Sequence, residues 1–259
     1  YYYPVEFMAA LMTSVVEMPN KVAEYISVCR QMGIQILPPD INRGMYGFSV
    51  DKGAIRYALS AIKSIGRPVI EGIVREREEH GEYTSLKTFV ERNINQINKR
   101  VVENLIKAGA LDCLEGNRKQ KMFVYPQIID SINQDKKHSM AGQMSLFDIV
   151  SEEDKKEFEI RMPQIAEYTN DVILAFEKDV LGIYLSGHPL EQYRSMMEKM
   201  ISAKTSDFQP DDETGIPEVY DNQKVIVGGM ITDKTIKYTK NNKVMAFLTL
   251  EDLVGTVEI

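Results

Sequence analysis

Apolar residues at helical spacing dominate the first two thirds of the chain. From residue 7 to 15 they recur every three or four positions after Pro4, a proline suited to the first turn of a helix. The same spacing returns from 22 to 32 and ends at Gly33, a residue that favours a helix stop. The pattern predicts two antiparallel helices with a short join near Pro19.

Two later helices carry start and stop signals. Ser85 and Asn98 are placed to cap helices that run through Arg92 and to about Ala108. Gly109 follows the second of them, where a left-handed residue commonly ends a helix. Periodicity predicts further helices at about 68–78, 118–132, 165–180 and 190–200.

Strand patterns occupy two shorter regions. Asp51-Lys52-Gly53 separates the β-prone runs 46–50 and 54–59, which predicts a hairpin. Near the end of the chain a glycine-bent run precedes a meander, a pattern that resembles the opening of an OB-type barrel. The strands of this second region are predicted at 225–231, 244–251 and 255–259.

The turn from Lys63 to Arg67 leads into a predicted helix. Free N–H groups at a helix N-terminus, with cations beside them, can hold a phosphate. This is the principle of the helix-hairpin-helix motif, which binds the nucleic-acid backbone without reading its sequence. Ser64 stands where one of the two usual glycines of that motif would be, and a plain structural turn is the alternative.

Positive charge on the helix after Asn98 points the same way. Lys99 and Arg100 lie in its first turn, where cations oppose the helix macrodipole, and this makes sense beside an anion. A solvated basic face is the alternative. The candidate DNA-binding residues are therefore Lys63, Ser64, Ile65, Gly66, Arg67, Lys99, Arg100 and Lys107.

A short amphipathic peptide stands between polar segments. Leu146 and Phe147 are adjacent large apolar residues without apolar neighbours at helical spacing, and Gln143 adds an amide three residues earlier. Apolar anchors on an exposed segment are what peptide-in-groove recognition uses. A loop that tucks both residues under its own domain is the alternative. The peptide consists of Gln143, Met144, Ser145, Leu146, Phe147 and Asp148.

Size and charge narrow the class of protein. A chain of 259 residues, 44% of them apolar, can build two domains. The net charge of −7 argues against a protein coated with nucleic-acid-binding surface. Between 52 and 107, however, eleven Lys and Arg face seven Asp and Glu, whereas between 148 and 218 seven face seventeen. This asymmetry is compatible with nucleic acid meeting only the first block.

The sequence contains no metal-ligand spacing. Cys29 and Cys113 lie far apart, which favours reduced thiols in a cytoplasmic protein, and the three histidines lie in separate segments. No apolar run is long enough to span a bilayer, so no membrane partner is expected. The chain opens Tyr1-Tyr2-Tyr3-Pro4, without an initiator Met or a signal segment, which indicates an internal fragment.

Five phrases, in order, resemble one family over essentially the whole chain. That family is the bacterial replicative DNA polymerase III alpha subunit (C family), of the type without a built-in exonuclease. The phrases are Tyr3 to Leu11, Met32 to Asn42, Ala61 to Gly66, Asn98 to Ala110 and Leu181 to Leu190.

The resemblance implies a fold class that is multidomain, mainly α and of helix-hairpin-helix type, followed by the first strands of a β OB-type barrel. It also implies a division into four parts. These are the end of the fingers domain at 1–50, a helix-hairpin-helix and sliding-clamp-binding domain at 51–150, an acidic helical connector at 151–220, and the incomplete start of the OB domain at 221–259.

In this family a Gln-x-x-Leu-Phe-like peptide inserts into a hydrophobic pocket of the ring-shaped clamp, and Gln143, Leu146 and Phe147 match it. The family's catalytic aspartates, which hold Mg in the palm, lie upstream. The resemblance therefore implies a chain without catalytic, metal or cofactor residues, inactive alone, whose parent protein is a DNA-directed DNA polymerase, a nucleotidyltransferase. The implied partners are the sliding clamp (beta subunit), duplex DNA and other replisome subunits.

The OB-like tail adds a further expectation. Its lysines and one tyrosine suit single-stranded template, the commonest ligand of that module, and solvated lysines on a hairpin are the alternative. These residues are Lys234, Lys237, Tyr238, Lys240 and Lys243. Two other interpretations of the whole chain stay open: a stand-alone adaptor that binds clamp and nucleic acid, and a helical interaction module whose tail binds protein.

Overall fold

The computed structural model describes residues 2–140, 161–210, 215–239 and 242–259, with the side chains of 137–140 excepted. These residues form two compact units, Tyr1–Ser186 and Gly187–Ile259. The peptide Gln143–Asp148 lies outside the described residues, and its assignment stays a prediction. The four-part functional division likewise stays a prediction.

The first unit is mainly helical. The 3-10 turn Leu59–Ala61 precedes its third helix. The helices are α1 (Pro4–Ser14), α2 (Pro19–Gln31), α3 (Arg67–His80), α4 (Leu86–Asn93), α5 (Lys99–Lys107), α6 (Arg118–Met140) and α7 (Asn170–Leu181). The strands are β1 (Ile36–Leu37), β2 (Ser49–Asp51) and β3 (Ala54–Arg56).

Local signals set the ends of the central helices as predicted. The Ser85 side chain accepts a hydrogen bond from the Thr88 N–H, and the Asn98 side chain accepts one from the Val101 N–H. Gly109, just after α5, has φ +78° in the left-handed region where only glycine is unstrained. These ends form correctly because their hydrogen-bonding partners lie within a few residues.

The predicted hairpin is present and organises a small sheet. Strands β2 and β3 pair antiparallel, with Val50 opposite Ile55. Strand β1 pairs parallel to β3, which gives the order β1-β3-β2. The edge strand β1 ends at Leu37 because Pro38 and Pro39, which follow it, have no N–H to donate to a ladder.

A continuous core joins the sheet to the helices. Helix α5 packs against α6 and α7, and α4 packs against α3 and α6. Phe89, Val102 and Leu111 are completely buried there, and each such side chain contributes about 1.5–3 kcal/mol relative to exposure. Tyr57 is also buried, but its hydroxyl donates to the Leu181 carbonyl at 3.2 Å. Burial raises the pKa of this hydroxyl well above its ordinary value.

The second unit combines short helices with a three-stranded antiparallel meander. The strands follow one another in the order β4-β5-β6. Its elements are the 3-10 turns Glu191–Tyr193 and Thr205–Phe208, the helix α8 (Arg194–Met200), and the strands β4 (Met230–Tyr238), β5 (Val244–Glu251) and β6 (Thr256–Glu258).

A buried carboxylate fixes the turn between β5 and β6. Asp252 accepts hydrogen bonds from the N–H and hydroxyl of Thr205 at 2.8 and 2.7 Å, and from the N–H groups of Val254 and Gly255 at 2.8 and 2.9 Å. Burial alone would raise the pKa of Asp252, but these donors outweigh it and the pKa is lowered. The carboxylate therefore ties residue 205 to the sheet.

The strand predicted at 225–231 is wrong in position. Strand β4 begins only at Met230 and continues to Tyr238. The Ile226 N–H donates to the Ser202 hydroxyl and its carbonyl accepts from the Ser202 N–H. A Cβ at Gly229 would lie 2.6 Å from the Glu251 carbonyl oxygen, so the chain at this glycine passes too close to its neighbour for a side chain. The residues just before Met230 therefore form a loop and not a strand.

Two helix starts also differ from prediction. The helix predicted from about 165 starts at Asn170, because the preceding residues make hydrogen bonds to the start of α6. The helix predicted from 190 opens with a 3-10 turn before α8. The fold class is nonetheless confirmed as a helical part followed by a few β strands. Among the described helices, none combines the length and the apolar character needed to cross a bilayer.

Candidate nucleic-acid interface

The Ser64 turn (residues 62–66) connects the 3-10 turn to α3. Ser64 itself has φ +65°, the left-handed conformation that the usual glycine would adopt without strain. Gly66 precedes α3 as its cap residue and provides no side chain to cover the N–H groups of the first turn. The turn thus has a left-handed residue where the motif would place a glycine, although that residue is serine.

Two other elements hold the Ser64 turn in place. The Asn104 side-chain amide on α5 donates to the Lys63 carbonyl at 2.8 Å. The Lys63 N–H donates to the Val180 carbonyl near the end of α7 at 2.9 Å. Because the N–H and the carbonyl of Lys63 are both hydrogen-bonded within the protein, the backbone that carries the Lys63 side chain is fixed.

The Ser64 turn, α5 and α7 surround a surface cavity of about 530 Å³. Four cations and two carboxylates line it, so its charge is positive. Five of the eight predicted DNA-binding residues lie here, namely Lys63, Ser64, Lys99, Arg100 and Lys107. The other lining residues are Glu103, Asn104, Asp179 and Val180.

The cations of the cavity differ in how far they are already neutralised. Lys63 is exposed, and its ammonium has no ion pair among the described residues. Arg100 Nη2 donates to the Ser64 hydroxyl at 3.1 Å, and its other guanidinium N–H groups have no partner in the described part of the chain. Lys99 forms an ion pair with Asp130 of α6 at 2.8 Å, with both side chains about half exposed. Lys63 and Arg100 are therefore the cations most ready to take an anion.

Lys107 is held more firmly within the protein. Its ammonium lies 2.9 Å from Glu103 and 3.5 Å from Asp179, and its side chain is only 18% exposed. The hydrogen bond to Glu103 raises the pKa of Lys107, and the charge of Asp179 adds to this effect while burial opposes it. Lys107 therefore joins α5 to α7 as well as lining the cavity.

The remaining three predicted residues do not line the cavity. Ile65 is buried in the core, and Gly66 is the cap residue of α3. The Arg67 guanidinium donates to Glu71 at 2.7 Å and lies over the Tyr46 ring at 4.7 Å from its centre. These residues shape the end of the Ser64 turn from the side of α3.

Sequence reasoning missed Asn104, Glu103 and Asp179. Asn104 lies on the inward face of α5 between apolar residues, and a buried polar side chain there is the one signal that could have marked it. Asp179 lies 72 positions beyond Lys107 in the chain, and nothing local pairs the two. Only packing of α7 against α5 brings them together.

The Gly109 turn (residues 108–117) joins α5 to α6 and is closed by side chains of the protein itself. A Cβ at Gly109 would collide with the Arg118 guanidinium. That guanidinium donates to the Asp112 carboxylate at 2.7 and 2.9 Å and to the Lys107 carbonyl at 3.2 Å. Arg118 is 9% exposed, and its other neighbour is Glu177 at 3.8 Å.

A carboxylate from the segment before α7 covers the start of α6. Glu167 accepts hydrogen bonds from the N–H groups of Arg118 at 2.8 Å, Lys119 at 3.1 Å and Tyr168 at 2.8 Å. Partial burial alone would raise the pKa of Glu167, but these donors outweigh it and the pKa is lowered. The anion position at this helix N-terminus is thus filled by the chain itself.

One group of potential metal ligands occurs elsewhere in the described chain. Oxygen and nitrogen atoms of Glu76, Glu79 and His80 come within 4.8 Å of one another on α3. Glu76 already accepts a hydrogen bond from Arg92 at 3.0 Å, and two of the three residues are exposed. An exposed group of this kind is common without an ion.

Comparison with known proteins first defines the class. The family model of the helix-hairpin-helix motif matches residues 33–121, a range that includes both the Ser64 turn and the Gly109 turn. The chain therefore contains a helix-hairpin-helix region, and this confirms the motif predicted from the sequence.

Whole-chain comparison then gives the family. The chain is 34% identical to the DNA polymerase III subunit alpha of Vibrio cholerae serotype O1 over 260 residues, 34% identical to that of Borreliella burgdorferi over 258, and 32% identical to that of Escherichia coli strain K12 over 261. These alignments cover 99–100% of this chain and 22% of each relative. The chain belongs to the DNA polymerase III alpha family and spans about a fifth of the length of the relatives it matches.

Proposed function

We propose that this chain is a non-catalytic part of a replicative DNA polymerase that holds duplex DNA through its backbone and tethers the enzyme to the sliding clamp. The similarity to alpha subunits along the whole chain supports the place in DNA replication. The parent protein would be a DNA-directed DNA polymerase working with other replisome subunits in the cytoplasm. Its Mg-dependent catalysis would reside outside this chain.

The grouping of five predicted DNA-binding residues around one cavity carries the duplex-binding proposal. Duplex DNA presents regularly spaced phosphates, which cations and free helix-terminal N–H groups bind without regard to base sequence. Lys63 and Arg100 supply the charge at this cavity. Such a grip would allow the polymerase to move along any sequence.

Charge reversal tests this proposal. The double variant Lys63→Glu, Arg100→Glu should lower duplex affinity at low salt at least tenfold, because it removes two cations from the cavity and adds two anions. Affinity would be measured by fluorescence anisotropy on the folded chain over a salt series. The slope of log affinity against log salt should become shallower by about one or two.

A matched control separates the cavity from general charge. Lys52→Glu makes the same kind of reversal at the tip of the β2–β3 hairpin, among exposed residues. It should weaken duplex binding far less than either single reversal in the cavity. Equal losses at Lys52 and Lys63 would return the Ser64 turn to a plain structural role.

We further propose that Gln143, Leu146 and Phe147 bind the sliding clamp. The support is the match of these residues to a Gln-x-x-Leu-Phe-like peptide and the polar sequence on both sides of it. A clamp-bound peptide would raise the effective concentration of the polymerase at its primer end and so favour processive synthesis.

Alanine substitution tests the clamp proposal. Leu146→Ala with Phe147→Ala should abolish detectable binding to the purified clamp, because both apolar anchors are removed. The control is Met144→Ala with Ser145→Ala, which changes the two intervening positions and should keep most of the affinity. Binding measured by surface plasmon resonance that is unchanged in the first variant would rule out this peptide as the clamp ligand.

The meander of the second unit would meet single-stranded template. Supporting this, Lys237 lies 4.8 Å from the centre of the Phe247 ring, which places a cation beside an aromatic surface on the β4–β5 pair.

The competing adaptor interpretation differs in one observable respect. Catalytic aspartates encoded upstream in the same gene would support the polymerase, and a gene without them would support the adaptor.

A further inference from the structure

Ser64 adopts a backbone conformation that serine normally avoids. Among the described residues, those other than glycine with positive φ are Lys52, Ser64, Asn222 and Asn242. Asparagine tolerates this region through local hydrogen bonds of its short polar side chain, and glycine has no Cβ to strain it. A glycine at 64 would satisfy the Ser64 turn better, so the serine hydroxyl needs another reason to be there.

Among the described residues, the Ser64 hydroxyl makes one hydrogen bond, and its partner is a cation of the cavity. Ser64 Oγ accepts a hydrogen bond from Arg100 Nη2 at 3.1 Å. The backbone around Ser64 is fixed because Asn104 and Val180 bind the carbonyl and the N–H of Lys63. The hydroxyl is therefore presented from a rigid turn.

The Arg100 guanidinium has no second hydrogen-bond or ion-pair partner among the described residues. It lies in the first turn of α5 and is exposed, and within the described part of the chain no ion pair is recorded for it. A long arginine side chain loses much rotamer freedom when it binds, and a contact that restricts it beforehand lowers this cost. The Ser64 hydroxyl is placed to do this.

We propose that Ser64 is a positioning residue for the duplex backbone, because its hydroxyl holds the Arg100 guanidinium at the cavity before DNA arrives. The inference rests on the proposed duplex binding and assigns a role to the one residue that departs from the usual motif. This role would explain why a serine with a strained backbone stands here, because its hydroxyl favours DNA binding. It requires no contact between Ser64 and a DNA base.

Two substitutions separate binding from backbone strain. Ser64→Gly removes the hydroxyl and the strain, whereas Ser64→Ala removes the hydroxyl and keeps the Cβ. Both should weaken duplex binding about threefold to tenfold, since one positioning hydrogen bond is lost. Ser64→Gly alone should also raise the urea midpoint of the chain, because glycine relieves the left-handed backbone.

A control and a double-variant cycle complete the test. Lys52→Gly relieves positive φ at a distant turn and should raise stability with little effect on duplex binding. In an Arg100→Ala background, Ser64→Ala should cause no further loss, because its effect passes through Arg100. Independent, multiplying losses in that cycle would overturn the positioning role.

The outcomes also distinguish this inference from the proposed function. If Lys63→Glu, Arg100→Glu weakens duplex binding but both Ser64 variants bind like the wild type, the positioning role is wrong and duplex binding stands. If the charge reversal itself has no effect, the proposed function fails and the Ser64 role fails with it.

Discussion

Ser64 and Gly109 both have a left-handed backbone conformation, but the two turns differ in how far other side chains cover them. At the Gly109 turn, Arg118 fills the space over the glycine and Glu167 takes the N–H groups of the following helix. At the Ser64 turn the helix start has no side-chain cap, and Lys63 and Arg100 face a cavity. Within one helix-hairpin-helix region, the second turn is covered by side chains of the protein, whereas the first lies beside a cavity lined by cations.

The difference shows that a motif does not by itself make a binding site. Both turns lead into a helix and have cations beside them. The availability of those groups depends on whether carboxylates from other elements reach them. Glu167 reaches the helix start after the Gly109 turn, and Asp112, within that turn, pairs with Arg118. The carboxylates near the Ser64 turn instead pair with Lys99 and Lys107, and among the described residues none pairs with Lys63 or Arg100.

The largest expected effect on stability comes from removing the Arg118 side chain, which covers the Gly109 turn. Arg118→Ala should destabilise the chain by about 2–4 kcal/mol, because it removes the guanidinium that contacts the buried Glu177 and the Asp112 carboxylate. Urea unfolding followed by circular dichroism measures this. The neighbouring exposed Lys119→Ala should cost under about 0.5 kcal/mol. Equal losses in the two variants would show that the Arg118 network is not what stabilises this turn.

A smaller effect is expected at the helix start that Glu167 covers. Glu167→Gln should lower the free energy of unfolding at pH 7 by about 0.5–1 kcal/mol, because it removes a negative charge from the N-terminus of α6. The exposed Glu115→Gln, in the Gly109 turn, is the control with the same change of charge. If the two variants have the same free energy of unfolding at pH 7, the role given to Glu167 is wrong.

The pH dependence of that effect has a defined sign. The pKa of Glu167 in the folded chain is lowered below its usual value of 4.5. Its stabilising contribution is therefore complete above that value and is lost as the pH falls through the folded pKa. The wild type and Glu167→Gln should thus converge in stability in acid, which unfolding curves at a series of pH values would measure.

The smallest expected effect concerns duplex binding at the cavity beside the Ser64 turn. Asp130→Asn frees Lys99 from its ion pair, and duplex affinity should rise about two- to fivefold at low salt, as expected for an exposed pair. Asp135→Asn changes the charge of the same helix by the same amount farther along and should have a lesser effect. Anisotropy measurements giving identical gains for both variants would mean that only net charge matters and that Lys99 is not specifically held back.

Local patterns in the sequence determined much of the fold. The caps at Ser85 and Asn98, the helix stop at Gly33 and the β2–β3 hairpin were predictable because each depends on partners a few residues away. The cluster of cations after residue 62 was also predictable as a candidate site, since spacing and residue type alone indicate it.

Tertiary structure decided which parts of that site remain available. The pairing of Lys107 with Asp179, the capping of α6 by Glu167 and the loop that delays β4 to Met230 all depend on contacts between distant segments. A side chain's charge is fixed by its residue type, but its neutralisation depends on which other groups packing brings within a few ångströms. For this reason the sequence alone predicted a set of basic residues, and the fold leaves Lys63 on the Ser64 turn and Arg100 on α5 without a carboxylate partner among the described residues.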